Sequence, residues 1–191
     1  MSEIKKLMAD VDVEEYVENY VDIDKFSKLC IKEQEFLGYN WSYPPFDFDP
    51  MEIWDSYNKL KIIVFKIDFS DEELERTFTD NELQIVLSRF ERMKGKLMNE
   101  IYVLEDENSK GLYLGKCSLC MRCTREINLP CKMPFKMRYS IEALGGDVDR
   151  TVEDIFDLKI HYAHDGKLPP YLIFVGGLLY DKKIGVIKNE S

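Results

Sequence analysis

Four of the five cysteines fall within fifteen residues, as Cys117-x2-Cys120-x2-Cys123 and then Pro130-Cys131. Thiolates are soft anionic ligands, and metal ligation is the commonest reason for a chain to crowd them in this way, so the segment reads as an iron–sulfur or zinc site. A 4Fe–4S cluster needs thiolates that converge from several directions. Cys117, Cys120 and Cys123 would supply three from one tight loop, the spacing that opens the bacterial ferredoxin pattern, and Cys131 would be the fourth. Zinc is the alternative. Zinc sites more often join two Cys-x2-Cys hooks separated by about a dozen residues or more, and no second hook is present.

The segment is also a basic island. Lys116, Arg122, Arg125, Lys132, Lys136 and Arg138 stand against Glu126 alone, in a chain of formal charge −10. Cationic surroundings favour reduction of an anionic cluster, and the patch would suit an acidic redox partner unless it is a solvated face. The overall acidity argues against nucleic-acid binding, because phosphate affinity comes mainly from Lys and Arg.

The other candidates for chemistry are weaker. His161 and His164, the only histidines, are expected to be surface or locally bonded groups rather than ligands, and Cys30 reads as a small buried hydrophobe. Gly176-Gly177 lacks the dinucleotide-binding spacing, no Gly-rich phosphate loop is present, and no Ser-His-Asp or Cys-His arrangement stands out.

The elements that must position the cysteines follow from periodicity and capping. Leu60 to Phe69 is apolar on both faces, the pattern of a central strand covered on both sides. Ser70-Asp71-Glu72-Glu73 and Thr79-Asp80-Asn81-Glu82 are capping boxes, and the second opens a long helix with an apolar stripe from Leu83 to Leu104. Leu112 to Leu114 reads as a short strand feeding Cys117, set parallel to the first strand by a right-handed crossover. Upstream, helices are expected over 12–20, with Asp12 and Glu15 as a cap pair, and from an Asp24 cap to about Phe36, ended by Gly38. Asp49-Pro50 opens a short helix through Trp54 and Tyr57.

Between these lies Gly38 to Pro50, with three prolines and five aromatics, which excludes regular helix or central strand. It either packs over the core or walls a ligand or metal pocket. Downstream, short helices are expected at 141–144, capped by Ser140, and from Thr151 through Phe156. Leu158 to Tyr162 and Tyr171 to Tyr180 should form a hairpin.

The whole is expected to be one α+β domain over 1–191: a mixed β-sheet, flanking helices and an irregular Cys-rich loop at 117–138. The start carries no apolar signal-peptide core, and the most apolar stretch, 171–180, is far short of the about 20 residues needed to span a bilayer. A cytoplasmic location follows, where thiols stay reduced.

Taken in order, Cys117 through Pro130-Cys131, Pro134 and Ser140-Ile141-Glu142-Ala143-Leu144-Gly145 resemble a family of predicted metal-binding proteins grouped as a domain of unknown function. The resemblance covers roughly Asp22 to Val148. It implies metal binding at the four clustered cysteines and no established reaction. The family's N-terminal cysteine motif, which ends in Trp-Ser-Cys-Pro-Pro, is degenerate: Cys30 is present, but Trp41-Ser42-Tyr43-Pro44-Pro45 has Tyr43 in the cysteine's place. Three roles are open: an electron-transfer or redox-accessory protein, a zinc-stabilised protein-interaction module, or an enzyme whose cluster helps bind a small molecule.

Overall fold

The computed structural model describes residues 3–37 and 39–181, without the side chains of Phe36 and Leu37. The expected helix stop at Gly38 therefore lies outside the described residues. The elements are β1 (Glu3–Asp12), α1 (Val13–Tyr20), α2 (Ile23–Leu37), α3 (Met51–Trp54), β2 (Lys59–Asp68), α4 (Asp71–Glu75), α5 (Asp80–Leu104), β3 (Ser109–Leu112), α6 (Val148–Phe156) and β4 (Tyr171–Tyr180). No helix among them is long and apolar enough to cross a membrane.

Four strands form one sheet in the order β1-β2-β4-β3, flanked by helices, an α+β arrangement. The expected mixed sheet is corrected: every neighbouring pair is antiparallel. The crossover through α5 does set β2 and β3 in the same direction, but β4 lies between them and pairs with both. Among the described residues the remaining parallel contact is a single bridge, Tyr113 to Ser140.

β2 alternates its side chains between two apolar layers, as its double-faced sequence requires. Leu60, Ile62 and Val64 pack with Val13, Tyr16, Trp54, Ile141 and Leu144. Ile63 and Phe65 turn to the opposite face, against Leu97, Met98 and Ile101 of α5. Gly176 of β4 lies under α5 and β3. A Cβ there would come within 2.7 Å of the Leu112 carbonyl, so only glycine allows the close approach.

Both capping boxes form, with Ser70 and Thr79 each accepting from the amide of the glutamate three residues on. β1 had no sequence expectation. It is an edge strand whose charges pair across the ladder, Lys61 to Asp10 at 2.6 Å and Lys59 to Asp12 at 2.7 Å. Such exposed pairs contribute under about 1 kcal/mol each, so the ladder itself holds the strand.

Local expectations fail where a competing cap or partner is stronger. Asp12 precedes α1 without a side-chain cap bond. Asp22 rather than Asp24 accepts from the α2 amides, at Lys25. Asp147 caps α6 by accepting from Arg150, which places Thr151 inside the helix, its hydroxyl 2.7 Å from that of Tyr16. Residues 141–145 form a turn, because Gly145 and Gly146 donate back to Glu142 and Ile141 before a helix can extend. Residues 158–162 are not a strand; β4 finds its partners in β2 and β3, and the expected hairpin is reduced to a bridge between His164 and Lys167.

Candidate metal centre

β3 ends at Leu112, and five residues later the chain reaches Cys117, so the cysteine loop leaves from the carboxyl end of a strand as expected. The loop has little regular structure of its own, one 3-10 turn at Thr124–Ile127. Its shape is fixed by bonds to the aromatic-proline segment, which lies about eighty residues earlier.

Asn40 donates to the Cys117 carbonyl at 3.0 Å, and the Cys117 amide donates to the Ser42 hydroxyl at 3.0 Å. The Trp41 indole donates to Leu129 at 3.0 Å. Arg125 reaches back from the loop to the carbonyls of Asn40, Tyr43 and Pro45, while its guanidinium lies 5.0 Å from the Trp41 ring centre. Within the loop, Thr124 donates to Pro130 at 2.8 Å, which holds the residue before Cys131. The segment packs into the core and also reaches the thiol cavity. Ser42, Tyr43 and Pro44 are buried, and Trp41 walls the site.

All four cysteines are free thiols, and together they line one small cavity of about 20 Å³ with Asn40, Trp41, Thr124, Lys132 and Met137. No histidine or carboxylate lines it. Burial is the chief force raising the Cys117 pKa; a bond from the Leu119 amide opposes it, and the charges of Cys131, Cys120 and Cys123 add to it. Among the described residues no three His, Cys, Asp or Glu side chains stand in metal-holding geometry. The donor chemistry nevertheless fits a thiolate-bound group, because the cavity offers soft sulfur ligands and no competing hard ones.

The basic island is partly committed elsewhere. Arg122 pairs with Glu126, Arg125 is bound to backbone carbonyls, and Arg138 grips Glu105 through two bonds of 2.6 and 3.0 Å. Lys132 and Lys136 are exposed. Around them stand apolar side chains that the sequence reading missed: Met121, Ile127, Leu129, Met133 and Phe135 are all exposed, Phe135 to 91%. Their apolar character next to the motif was the available signal.

Beside the thiol cavity, and sharing Trp41, Cys131 and Met137 with it, is a larger pocket of about 610 Å³. Phe46, Phe48 and Tyr139, in mutual ring contact, form its aromatic side, and Asp47 and Arg125 are among its polar residues. The histidines take no part. His161 packs edge-on against Tyr171, and His164 meets Asp165 at 3.3 Å.

An α+β sheet that holds a loop with four free thiols around one cavity has the make-up of a metal-binding protein. The chain belongs to the family described as predicted metal-binding protein (DUF2284), whose family model matches residues 17–180. No curated protein and no solved structure shows significant similarity to the chain.

Proposed function

We propose that Cys117, Cys120, Cys123 and Cys131 hold a 4Fe–4S cluster, and that the protein passes single electrons between this group and a partner protein. The observation that carries this is the gathering of all four thiols on one cavity free of other ligand types. Their Cys-x2-Cys-x2-Cys spacing favours a cluster over zinc. When bound, the cluster would supply a one-electron couple. The chain's own residues do the rest: Arg125, Asn40 and Ser42 fix the loop backbone, and Trp41 and Met137 shield the sulfurs. Met121, Leu129 and Phe135 offer an apolar docking face, with Lys132 and Lys136 beside it for an acidic rim on the partner.

The test is anaerobic purification followed by iron, sulfide and zinc analysis and a visible spectrum, repeated with Cys120→Ala. Iron and sulfide in equal amounts, lost in the variant, are expected; stoichiometric zinc without sulfide overturns the cluster. Reversible reduction is required for electron transfer, and a redox-silent centre overturns that role.

A second reading is favoured by the 610 Å³ pocket against Cys131. Concave apolar sites with a few polar groups are where small ligands bind, and a molecule here would touch a cluster ligand. In that case the centre serves a bound small molecule rather than a docked protein. Phe48→Ala would then change the cluster's spectrum or turnover with a substrate and leave transfer to partner proteins unaltered.

A further inference from the structure

The two edges of the sheet are finished differently. β3 is four residues long, and the Glu105 side chain accepts from the amide of Gly111, so that edge is short and partly capped. β1 is ten residues long and pairs with β2 without a bulge, from Glu3 opposite Asp68 to Asp12 opposite Lys59. Among the described residues it has no strand on its other side. In an antiparallel pair alternate residues turn their N–H and C=O groups away from the partner, so β1 presents a row of open donors and acceptors. Ile4 and Met8 are exposed on the same strand, Met8 to 55%.

Lysines on an edge strand ordinarily keep other strands away. In β1, Lys5 and Lys6 stand in one half and Asp10 and Asp12 in the other. A strand basic towards one end and acidic towards the other sets like against like when it meets itself in parallel, and complements itself when reversed. We propose that β1 pairs antiparallel with β1 of a second copy of this chain, giving a two-fold dimer whose sheet runs through eight strands, four from each copy.

The charges also select a register. A two-fold axis normal to the sheet keeps each face on its own side, and side chains alternate between faces, so only residues of the same parity can meet. Centred on Lys6, the pairing sets the two Lys6 side chains together; centred on Asp10, it sets carboxylate against carboxylate. Like charges directly opposite are unfavourable. Centred on Leu7 it brings no opposite charges together, and centred on Ala9 it overlaps fewer residues. Centred on Met8, it places each Lys6 opposite Asp10 of the other copy, Leu7 opposite Ala9, and the two Met8 side chains side by side. Ile4 opposite Asp12 is then the last pair, and Glu3 falls beyond it. Lys6 already meets Glu100 at 2.9 Å and Asp10 meets Lys61 at 2.6 Å, yet both residues are exposed and can serve a second partner. Main-chain bonds and the apolar contacts supply the attraction, and the charges choose the alignment. The cysteine loop follows β3, at the opposite edge of the sheet, so each metal centre leaves from the edge remote from the contact.

The test is sedimentation equilibrium of the full chain, purified with its cysteine centre, over a range of concentrations. Wild type is compared with Lys6→Asp, with Asp10→Lys, and with an equimolar mixture of the two variants. Each variant alone sets like charges opposite each other and should dimerise at least about tenfold more weakly, whereas the mixture restores both attractive pairs and should form a heterodimer of near wild-type strength. Met8→Cys keeps the test valid if the charge exchanges loosen β1 from β2. It should cross-link two copies on mild oxidation because the paired positions lie within disulfide reach, and Lys5→Cys should not. A wild type that stays monomeric throughout, folded variants that dimerise like wild type or fail to associate when mixed, or equal cross-linking at the two positions would each overturn the proposal. A dimer lost in Phe135→Ala and indifferent to the exchange of charges would put the contact on the apolar loop face and overturn it as well.

Discussion

The Cys117–Cys131 loop and a separate cleft lined by Cys30, Glu33, Tyr43 and Glu142 both set thiols against the aromatic-proline segment, and they differ in what surrounds the sulfur. In the loop the thiols face one another, with Lys132 beside them and no carboxylate. In the cleft one thiol, 5% exposed, faces Glu33 and Glu142, and burial first and those charges second push its pKa up to about 12. Tyr43 lines the same wall. Sulfur alone therefore does not make a thiolate site. Neighbouring charge and the number of converging thiols decide whether a cysteine is a ligand or a piece of core.

The largest test of that contrast is alkylation of the metal-free protein near pH 8. Cys30 should react about a thousandfold more slowly than an ordinary thiol, from its raised pKa and burial, while the four loop cysteines label first. Mass spectrometry should show a plateau at four adducts; a fifth appearing at the same rate would erase the distinction. Next in size is Arg125→Ala, which removes bonds to three carbonyls and should cost about 2–3 kcal/mol in denaturant unfolding. Its metal affinity should fall as well.

Glu142→Gln probes the other region and should stabilise the protein by about 1 kcal/mol at pH 7. Burial raises the Glu142 pKa above its ordinary 4.5, with Glu33 adding to this and Ser140 and Lys94 opposing it. The folded state therefore keeps the proton after the unfolded chain has lost it. Stability from this group is full below the ordinary value and is lost as pH rises through the folded one. The variant should flatten that limb of the stability curve, and an unchanged limb would place the titration elsewhere. The smallest effect is on Phe135→Ala. Its exposed ring should leave stability within about 0.5 kcal/mol, and only partner-dependent electron transfer should slow.

Much of the frame was legible because the deciding signals are local. Leu60 to Phe69 shows its double-faced burial directly, and the caps at Ser70 and Thr79 need only a glutamate three residues on. β1 was not legible, since its lysines and aspartates resemble a solvated segment until β2 pairs with them. The hairpin at 158–162 failed for the complementary reason: a strand takes its partner from the whole sheet, and the nearest apolar run in sequence was not the best edge. In the centre the cysteines were evident from spacing. The residues that shape their loop, Asn40, Ser42 and Arg125, act across some eighty positions and carry no motif. Glu142 meets Cys30 across 112 residues, a juxtaposition that only the folded chain reveals.

The place of β4 between β2 and β3 has a consequence for how the molecule is made. During synthesis β1, β2, α5, β3 and the cysteine loop all leave the ribosome before Tyr171–Tyr180, the strand that joins the two parts of the sheet. Until then β2 and β3 each present an unpaired edge, and the apolar layer between β2 and α5 lacks its middle. The cysteine loop thus emerges after the residues that bind it, Asn40 to Pro45, and before the strand that completes the sheet it leaves from.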